Sequence, residues 1–332
     1  MHLSSRTRRQ WLTRAAACAL YGTFPPAGRA APATYPQRPI SIIVPSAVGA
    51  PLDLCMREAA RQAAAYLPGA DFRIANRPGA AKLHGATALA ALDAADGYEL
   101  AMSLPAWINK SLLYDVNYEP LRDFTFVTGI ARAPYCIATR ADAPWQDLPA
   151  YLAHARRIGG GIRYAVVGYG ASGHLLMEET ARQAGTAVTG VLVRTAGEMV
   201  QLLVSGQVDA ICDCPAFAPQ MLDASLRLLA HFGDAAPLPQ GTALPTVAST
   251  GMDIVLDAVF GLAGPHGLPG SVVRSLREAF IGATRQLAYT RLLDSLWLQP
   301  AAPDGPDLAE QMRVLELREH EWMRRAGLRG AT

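Results

Sequence analysis

Three short stretches of this 332-residue chain carry residues that could hold a negatively charged guest. In residues 44–53 a β-branched run gives way to Pro45-Ser46-Ala47-Val48-Gly49, then to an apolar-periodic segment with Asp53 in its first turn. The same form recurs in residues 164–174, where Val166-Val167 leads into Gly168-Tyr169-Gly170-Ala171-Ser172-Gly173-His174. The third stretch is Val193-Arg194-Thr195-Ala196-Gly197. Each reads as strand, small-residue loop and helix start, and in an open α/β sheet the ligand crevice lies outside the carboxyl ends of such strands. The first N–H groups of a helix have no partner within it and, with the helix dipole, favour an anion. Small residues let those donors approach closely. Ser46, Ala47, Val48, Gly49, Gly168, Tyr169, Gly170, Ala171, His174 and Thr195 are therefore candidate ligand contacts. Arg194 either grips a carboxylate in a bidentate fashion or is an ordinary surface arginine. Ser172 either donates its hydroxyl to a guest or caps the helix that follows. Asp53 comes too late to cap a helix beginning at Leu52 and is expected to tie down its loop through backbone N–H groups, with ligand contact as the second reading. Ser103, at the end of a strand over 99–103, and Asp213, just past one over 210–212, complete the candidate set.

Covalent chemistry has no clear home in these stretches. Gly168-x-Gly170-x-x-Gly173 has the form of a dinucleotide fingerprint, but Gly190 stands near the place, about 20 residues on, where that motif needs an acidic residue. Gly170-Ala171-Ser172-Gly173 misses the nucleophile-elbow spacing by one residue. A hydrolase using Ser172 with His174, or a thiol catalyst using Cys212, lacks a nameable orienting acid, and residues two apart at a helix start rarely meet. Cys212-Asp213-Cys214 could be half a metal site, but alternate residues on a strand end explain it without one. The seven histidines are scattered and none is four residues from another. No metal and no cofactor is expected.

The elements that must position these loops alternate along the chain. From Tyr35 onward, short β-branched runs alternate with longer helical ones, which predicts an α/β fold with mainly parallel sheets. Strands are expected at 40–44, 72–74, 99–103, 136–139, 162–167, 188–193 and 210–212, with another near 260–262. Helices are expected at 52–66, through residue 91, and at 148–157, 173–184, 196–204, 270–287 and 308–326. With 51% hydrophobic and 17% charged residues the chain can bury a sizeable core, and its length suits two lobes. A net charge of +2 and scarce lysine argue against nucleic acid. No run approaches the ~18 apolar residues that span a bilayer. Residues 1–33 read as a signal peptide: Arg6, Arg8, Arg9 and Arg14 precede a weakly apolar run and then Ala27, Gly28, Ala30, Ala31 and Ala33. Thr7-Arg8-Arg9-Gln10-Trp11-Leu12 is similar to a twin-arginine signal. Export would place Cys55, Cys136, Cys212 and Cys214 in an oxidising periplasm, with three pairings open to them. No linker divides the chain, as expected when it crosses between lobes more than once.

In this order, the segments resemble the Bug family of periplasmic receptors, the substrate-binding components of tripartite tricarboxylate transporters. The resemblance rests on Tyr35-Pro36-Gln37-Arg38-Pro39-Ile40, Ile43-Val44-Pro45, Gly49-x-x-x-Asp53 and Asn76-Arg77-Pro78-Gly79-Ala80. It continues through Asp96-Gly97-Tyr98, Leu121-Arg122-Asp123-Phe124, Gly206-Gln207-Val208-Asp209, Asp213, Leu244-Pro245-Thr246-Val247 and Phe260-Gly261-Leu262, covering residues 35–327. It implies a type II periplasmic-binding-protein (Venus flytrap) fold, with lobe 1 at 35–131 plus 252–332 and lobe 2 at 132–251. It also implies a monomer that takes a small carboxylate (an organic acid, amino acid or aromatic acid) between the first loop and the Gly168 loop and passes it to membrane transporter subunits. A ligand-sensing module for a membrane signalling protein shares the fold and is the alternative. The departures cluster at the cleft: Ser46-Ala47-Val48-Gly49-Ala50 replaces Phe-x-x-Gly-Gly, Ala81-Lys82 replaces a glycine pair, Leu192-Val193-Arg194-Thr195 replaces Pro-Tyr-Lys-Gly, and Val259 replaces a tryptophan.

Overall fold

The computed structural model describes residues 35–79, 82–159, 161–234, 237–301 and 307–328, so the signal peptide expected over 1–33 lies outside it. Ile40–Val44 forms β1, almost wholly buried, as a strand must be when helices cover both faces of its sheet. Pro51 opens α1 (Pro51–Ala63) at a first-turn position where its missing N–H costs nothing. Then follow β2 (Phe72–Asn76), α2 (His84–Ala90), β3 (Glu99–Ser103), α3 (Pro105–Leu113), the one-turn α4 (Pro120–Asp123) and β4 (Phe124–Pro134). A second α/β unit contains β5 (Cys136–Arg140), α5 (Leu148–Arg157), β6 (Arg163–Val167), α6 (Ser172–Gln183), β7 (Thr189–Val193), α7 (Ala196–Val204), β8 (Ala210–Asp213) and β9 (Leu226–His231). The chain ends with β10 (Asp257–Pro265), α8 (Gly270–Thr284), α9 (Leu287–Ser295), the two-residue β11 (Gln299–Pro300) and α10 (Leu308–Arg325).

Two sheets result, ordered β11-β4-β10-β3-β1-β2 and β7-β6-β8-β5-β9. The chain leaves the first sheet at Tyr135 and returns to it between β9 and β10. The expected mainly parallel sheets are in fact mixed. β1 pairs in parallel with β2 and β3, and β6 with β7 and β8, whereas β4, β10, β11, β5 and β9 pair antiparallel. The antiparallel members of the first sheet include the strands that link it to the second: β4 leaves as β10 arrives, and the two pair from Asp257↔Pro134 to Pro265↔Phe124.

Two packing details place the elements around the cleft. Buried Trp107 seats α3, with its ring centroid 4.9 Å from that of Phe124 and its indole against Gly85 of α2, where an added Cβ would lie a tight 3.1 Å away. At the start of α6, a Cβ on Gly173 would lie 2.6 Å from the Cys212 carbonyl oxygen, so the helix can meet β8 only with glycine there. α10 packs against α3, β4 and α6, and so touches helices that flank both sheets.

The four cysteines left open for pairing are all free and buried. Cys136 faces Asp213 across the β5–β8 ladder rather than another thiol, and Cys55 lies 3.2 Å from the Tyr289 hydroxyl on α9. Burial pushes the Cys55 thiol up to about 12, well clear of the reactive range.

Candidate functional site

Between the two sheets lies a cavity of about 510 Å³, a volume typical of small-molecule sites. One wall is the first turns of α3 (Leu104, Pro105, Ala106), together with Asn109 and Lys110 further along the helix. The opposite wall combines the β6–α6 loop (Gly168, Ala171, Ser172), the β7–α7 junction (Arg194, Ala196), and Asp213 at the end of β8. Tyr135 from the crossover, Phe217 and Phe260 supply apolar surface, and Lys82 enters from the turn before α2. The first turns of three helices thus border one space, each adding the partial positive charge of its N-terminus.

The charged groups are unequal in number and kind. The cavity is lined by Lys82, Lys110 and Arg194 but by a single carboxylate, Asp213. Among the described residues none of the three cations forms a salt bridge. Lys82 holds φ at 70°, the left-handed region that favours glycine, and its ammonium stands 4.9 Å from the centre of the Phe217 ring. Lys110 reaches from α3 to the facing loop, where its Nζ is 3.8 Å from the position a Cβ would take on Gly168. Burial pushes its ammonium below the ordinary value, with Glu319 pulling the other way. Burial likewise pushes Asp213 up, against the Cys214 N–H at 2.7 Å and the charge of Lys82.

Behind this wall, Ser172 donates to Glu319 Oε1 at 2.5 Å and accepts a longer bond, 3.4 Å, from the Asn109 amide. Glu319 is fully buried on α10, and burial raises it to about 8 despite Ser172, Asn109 and Lys110. At neutral pH it is therefore mostly a carboxylic acid rather than a carboxylate. Ser172 is the first residue of α6 and its hydroxyl does not cap the helix, because Ala171 is the N-cap.

Of the residues proposed from sequence, Gly168, Ala171, Ser172, Arg194 and Asp213 line the cavity. Tyr169, Gly170 and His174 sit in the same loop and helix but pack against one another or against α3. The Gly170 N–H donates to His174 Nδ1 at 3.0 Å, Tyr169 lies against the His174 ring, and Gly170 abuts Leu113. With Nδ1 accepting, His174 is turned away from Ser172 chemistry, and burial holds its imidazole below the ordinary value. Thr195 caps α7, accepting the Glu198 N–H at 3.1 Å.

The first loop does not line the cavity. Ser46, Ala47, Val48 and Gly49 lie at the end of β1, one strand beyond β3 on the same sheet edge, with Ala47, Val48 and Gly49 facing solvent. Asp53 ties this loop down as expected, its carboxylate accepting from Gly49 N–H (2.8 Å), Arg57 (2.8 Å) and Asn76 (2.7 Å). Burial disfavours the ion, but these bonds outweigh it and hold the carboxyl below its ordinary value. Among the described residues, the Ser46 and Ser103 hydroxyls find no partner at the neighbouring, buried ends of β1 and β3.

The residues that sequence reasoning missed come mainly from α3. A proline directly after a strand was the available sign, since Pro is favoured in a helix's first turn. Lysine scarcity was a second sign: the only two lysines in the chain, Lys82 and Lys110, both line the cavity.

Residues 55–326 match the family model described as the tripartite tricarboxylate transporter family receptor. Protein BugT of Bordetella pertussis is 31% identical over 290 residues, covering 84% of this chain and 87% of BugT. An R. palustris protein solved with adipate superposes with a TM-score of 0.73 at 26% identity, covering 89% of this chain and 99% of that one. MatC from Rhodopseudomonas palustris, solved with bound malate, gives 0.69 at 25% identity, covering 87% and 99%.

Proposed function

The chain belongs to the receptor family of tripartite tricarboxylate transporters, and on that premise we propose that it captures a small organic carboxylate in the cavity between its sheets. The observation that carries this reading is the charge of the lining: three cations without salt-bridge partners among the described residues and three helix starts, against one carboxylate whose ionisation burial disfavours. Such a space is best filled by an anion. The adipate and malate held by the two R. palustris proteins agree with this. The family is one of solute receptors rather than enzymes. Ser172, bonded to Glu319, and His174, bonded to Gly170, do not form a nucleophile–base pair.

In this reading residues 1–33 direct export to the periplasm and are removed, and the mature chain delivers its guest to the transporter's membrane subunits. The lobes are 35–131 plus 252–332, and 132–251, with hinges at Tyr135 and in the segment before β10. The shift of β4 and β5 into different sheets supports the first hinge. Arg132 bonds to Asp257 and Asp234 beside both crossings, as a pin at the hinge would. One chain suffices, because it supplies every wall of the cavity.

Thermal melting of ligand-stripped protein with a panel of mono-, di- and aromatic carboxylates tests the reading. A guest at 100 times its dissociation constant should stabilise the fold by about 2.7 kcal/mol. A panel that moves no melting temperature would remove the proposal.

A further inference from the structure

Resting on the carboxylate reading above, we infer that Glu319 is a positioning residue for capture. Holding a proton, it donates to Ser172 and turns that hydroxyl towards the guest, so binding is coupled to proton uptake at this side chain. Glu319 itself does not line the cavity; it reaches the guest through Ser172, which does.

Ser172 Oγ and Glu319 Oε1 are 2.5 Å apart, and both side chains are buried. An ionised carboxylate can only accept, so beside it the Ser172 hydrogen is committed to Oε1 and none is left for a guest. A carboxylic acid has a hydrogen of its own. Donating it across the same contact leaves Ser172 accepting from Glu319 and from the Asn109 amide, with its own hydrogen free to point into the cavity. A carboxylate guest favours that second arrangement, because it offers acceptors and no donor. The surroundings of Glu319 also suit the acid: Oε2 has no partner among the described residues, and a buried charge is tolerated only when it is paired and hydrogen-bonded.

The charged groups packed around α10 reinforce the coupling. Among the described residues, Lys110 of α3 is the cation that acts on Glu319, and it also lines the cavity. A guest that engages Lys110 withdraws this support from the ionised form and adds a negative charge of its own. The Tyr135 phenol at the crossover brings no compensating charge, since burial pushes it well above its ordinary value. From α6 the contact is the uncharged Ser172; Glu179 of that helix is held by Arg182 and Arg325, and His174 by the Gly170 N–H. Arg132 of β4 is held by Asp234 and Asp257, Arg122 and Asp123 of α4 pair with each other, and Glu316 of α10 faces α4.

The native value of Glu319, about 8, fixes the expected profile. A bound guest raises it further, so the grip is complete below 8 and weakens as pH rises through it. Calorimetric titration of the full mature chain with acetate, succinate, glutarate and benzoate, in buffers of different ionisation enthalpy, counts the protons. Uptake should be about 0.1 proton per guest at pH 7 and about 0.9 at pH 9, with affinity about tenfold lower at pH 9. The amide of Glu319→Gln can donate to Ser172 as the acid does. This variant should match wild-type affinity at pH 7 within about twofold and lose both the proton uptake and the pH dependence. Wild-type binding at pH 9 without proton uptake overturns the inference and leaves the receptor reading standing. So does uptake that persists in Glu319→Gln, which would place the proton on another group such as Lys110, and so does a folded Glu319→Gln protein that no longer binds. If none of the four carboxylates binds the wild type at either pH, both fall.

Discussion

Two polar clusters occupy the same edge of the six-stranded sheet, and they are built in opposite ways. At the end of β1, Asp53 accepts from Gly49, Arg57 and Asn76, and Asn76 also donates to the Ser46 carbonyl. Each charged side chain of this cluster has found a partner within the chain. At the cavity between the sheets, Lys82 and Lys110 form no salt bridge among the described residues. Both clusters have the residue types that bind anions. The first has satisfied itself and so holds a loop in place, whereas the second is left open and so can hold something else.

Removing Asp53 is the most direct way to break this contrast. Its carboxylate is buried and accepts three hydrogen bonds, whereas Arg57 is 43% exposed and keeps its bond to Asn76, so the loss is that of hydrogen bonds to a charged group, about 1.5–3 kcal/mol, rather than of a buried ion pair. We expect Asp53→Ala to lose about 2–3 kcal/mol in urea unfolding. Binding of a carboxylate should change by no more than about threefold in the protein that remains folded, less than the 1.4 kcal/mol of a tenfold change. A variant of normal stability that no longer binds would reverse the roles assigned to the two clusters. The pH dependence has a definite sign. The native carboxyl is held below its unfolded value, so its contribution is present above the unfolded value, near 3.9, and fades as pH falls through the lower native one.

Glu319 tests the boundary between the clusters, being closed on one side by Ser172 and open on the other, where Oε2 has no partner among the described residues. Its native value of about 8 lies above the ordinary 4.5, so the stability it allows is complete below 4.5 and is lost as pH rises through 8. Glu319→Gln, which keeps the neutral form, should flatten this decline and exceed wild type by about 5 kcal/mol at pH 9 while matching it near pH 4. Parallel stability curves across that range would show that Glu319 is not buried as a neutral acid.

How much of this was legible in the sequence follows from which effects are local. β1, β3 and β6 announced themselves through β-branched runs, and the helix starts after β6 and β7 through small residues. α3 was missed because the proline that begins it was not taken as a start, and with it went Asn109 and Lys110. The cavity side of Lys82 depends on a left-handed backbone, which a lysine in the sequence does not advertise. Glu319 lies on a helix that reads as amphipathic, and its burial follows from α10 packing against both α3 and α6. The first loop was expected in the site because its form is that of an anion-binding turn, but an acid one turn into the helix had already claimed its N–H group.

Lys110 sets stability and binding against each other. Because burial disfavours its charge and no carboxylate pairs with it, Lys110→Met should leave stability within about 0.5 kcal/mol of wild type or raise it slightly. Carboxylate affinity should nevertheless fall at least tenfold, about 1.4 kcal/mol. Loss of both together would make Lys110 a structural residue.

The smallest test repeats the contrast between neighbours in sequence. Arg194 and Thr195 were both candidates for the ligand, but the Arg194 side chain lines the cavity while the Thr195 hydroxyl accepts the Glu198 N–H and caps α7. Glu198 answers by accepting the Arg194 N–H at 2.9 Å, so the turn is braced from both sides. Thr195→Ala should therefore cost about 1 kcal/mol of stability, the usual price of a lost cap, and alter binding by less than about twofold. Arg194→Gln should do the reverse, weakening carboxylate binding several-fold with stability unchanged, because the cap does not use its side chain. The two effects should add in the double variant, since one acts through the helix end and the other through the guest. If Thr195→Ala weakens binding as much as Arg194→Gln does, the capped turn is itself part of the grip, and the line between satisfied and open groups has been drawn one residue too early.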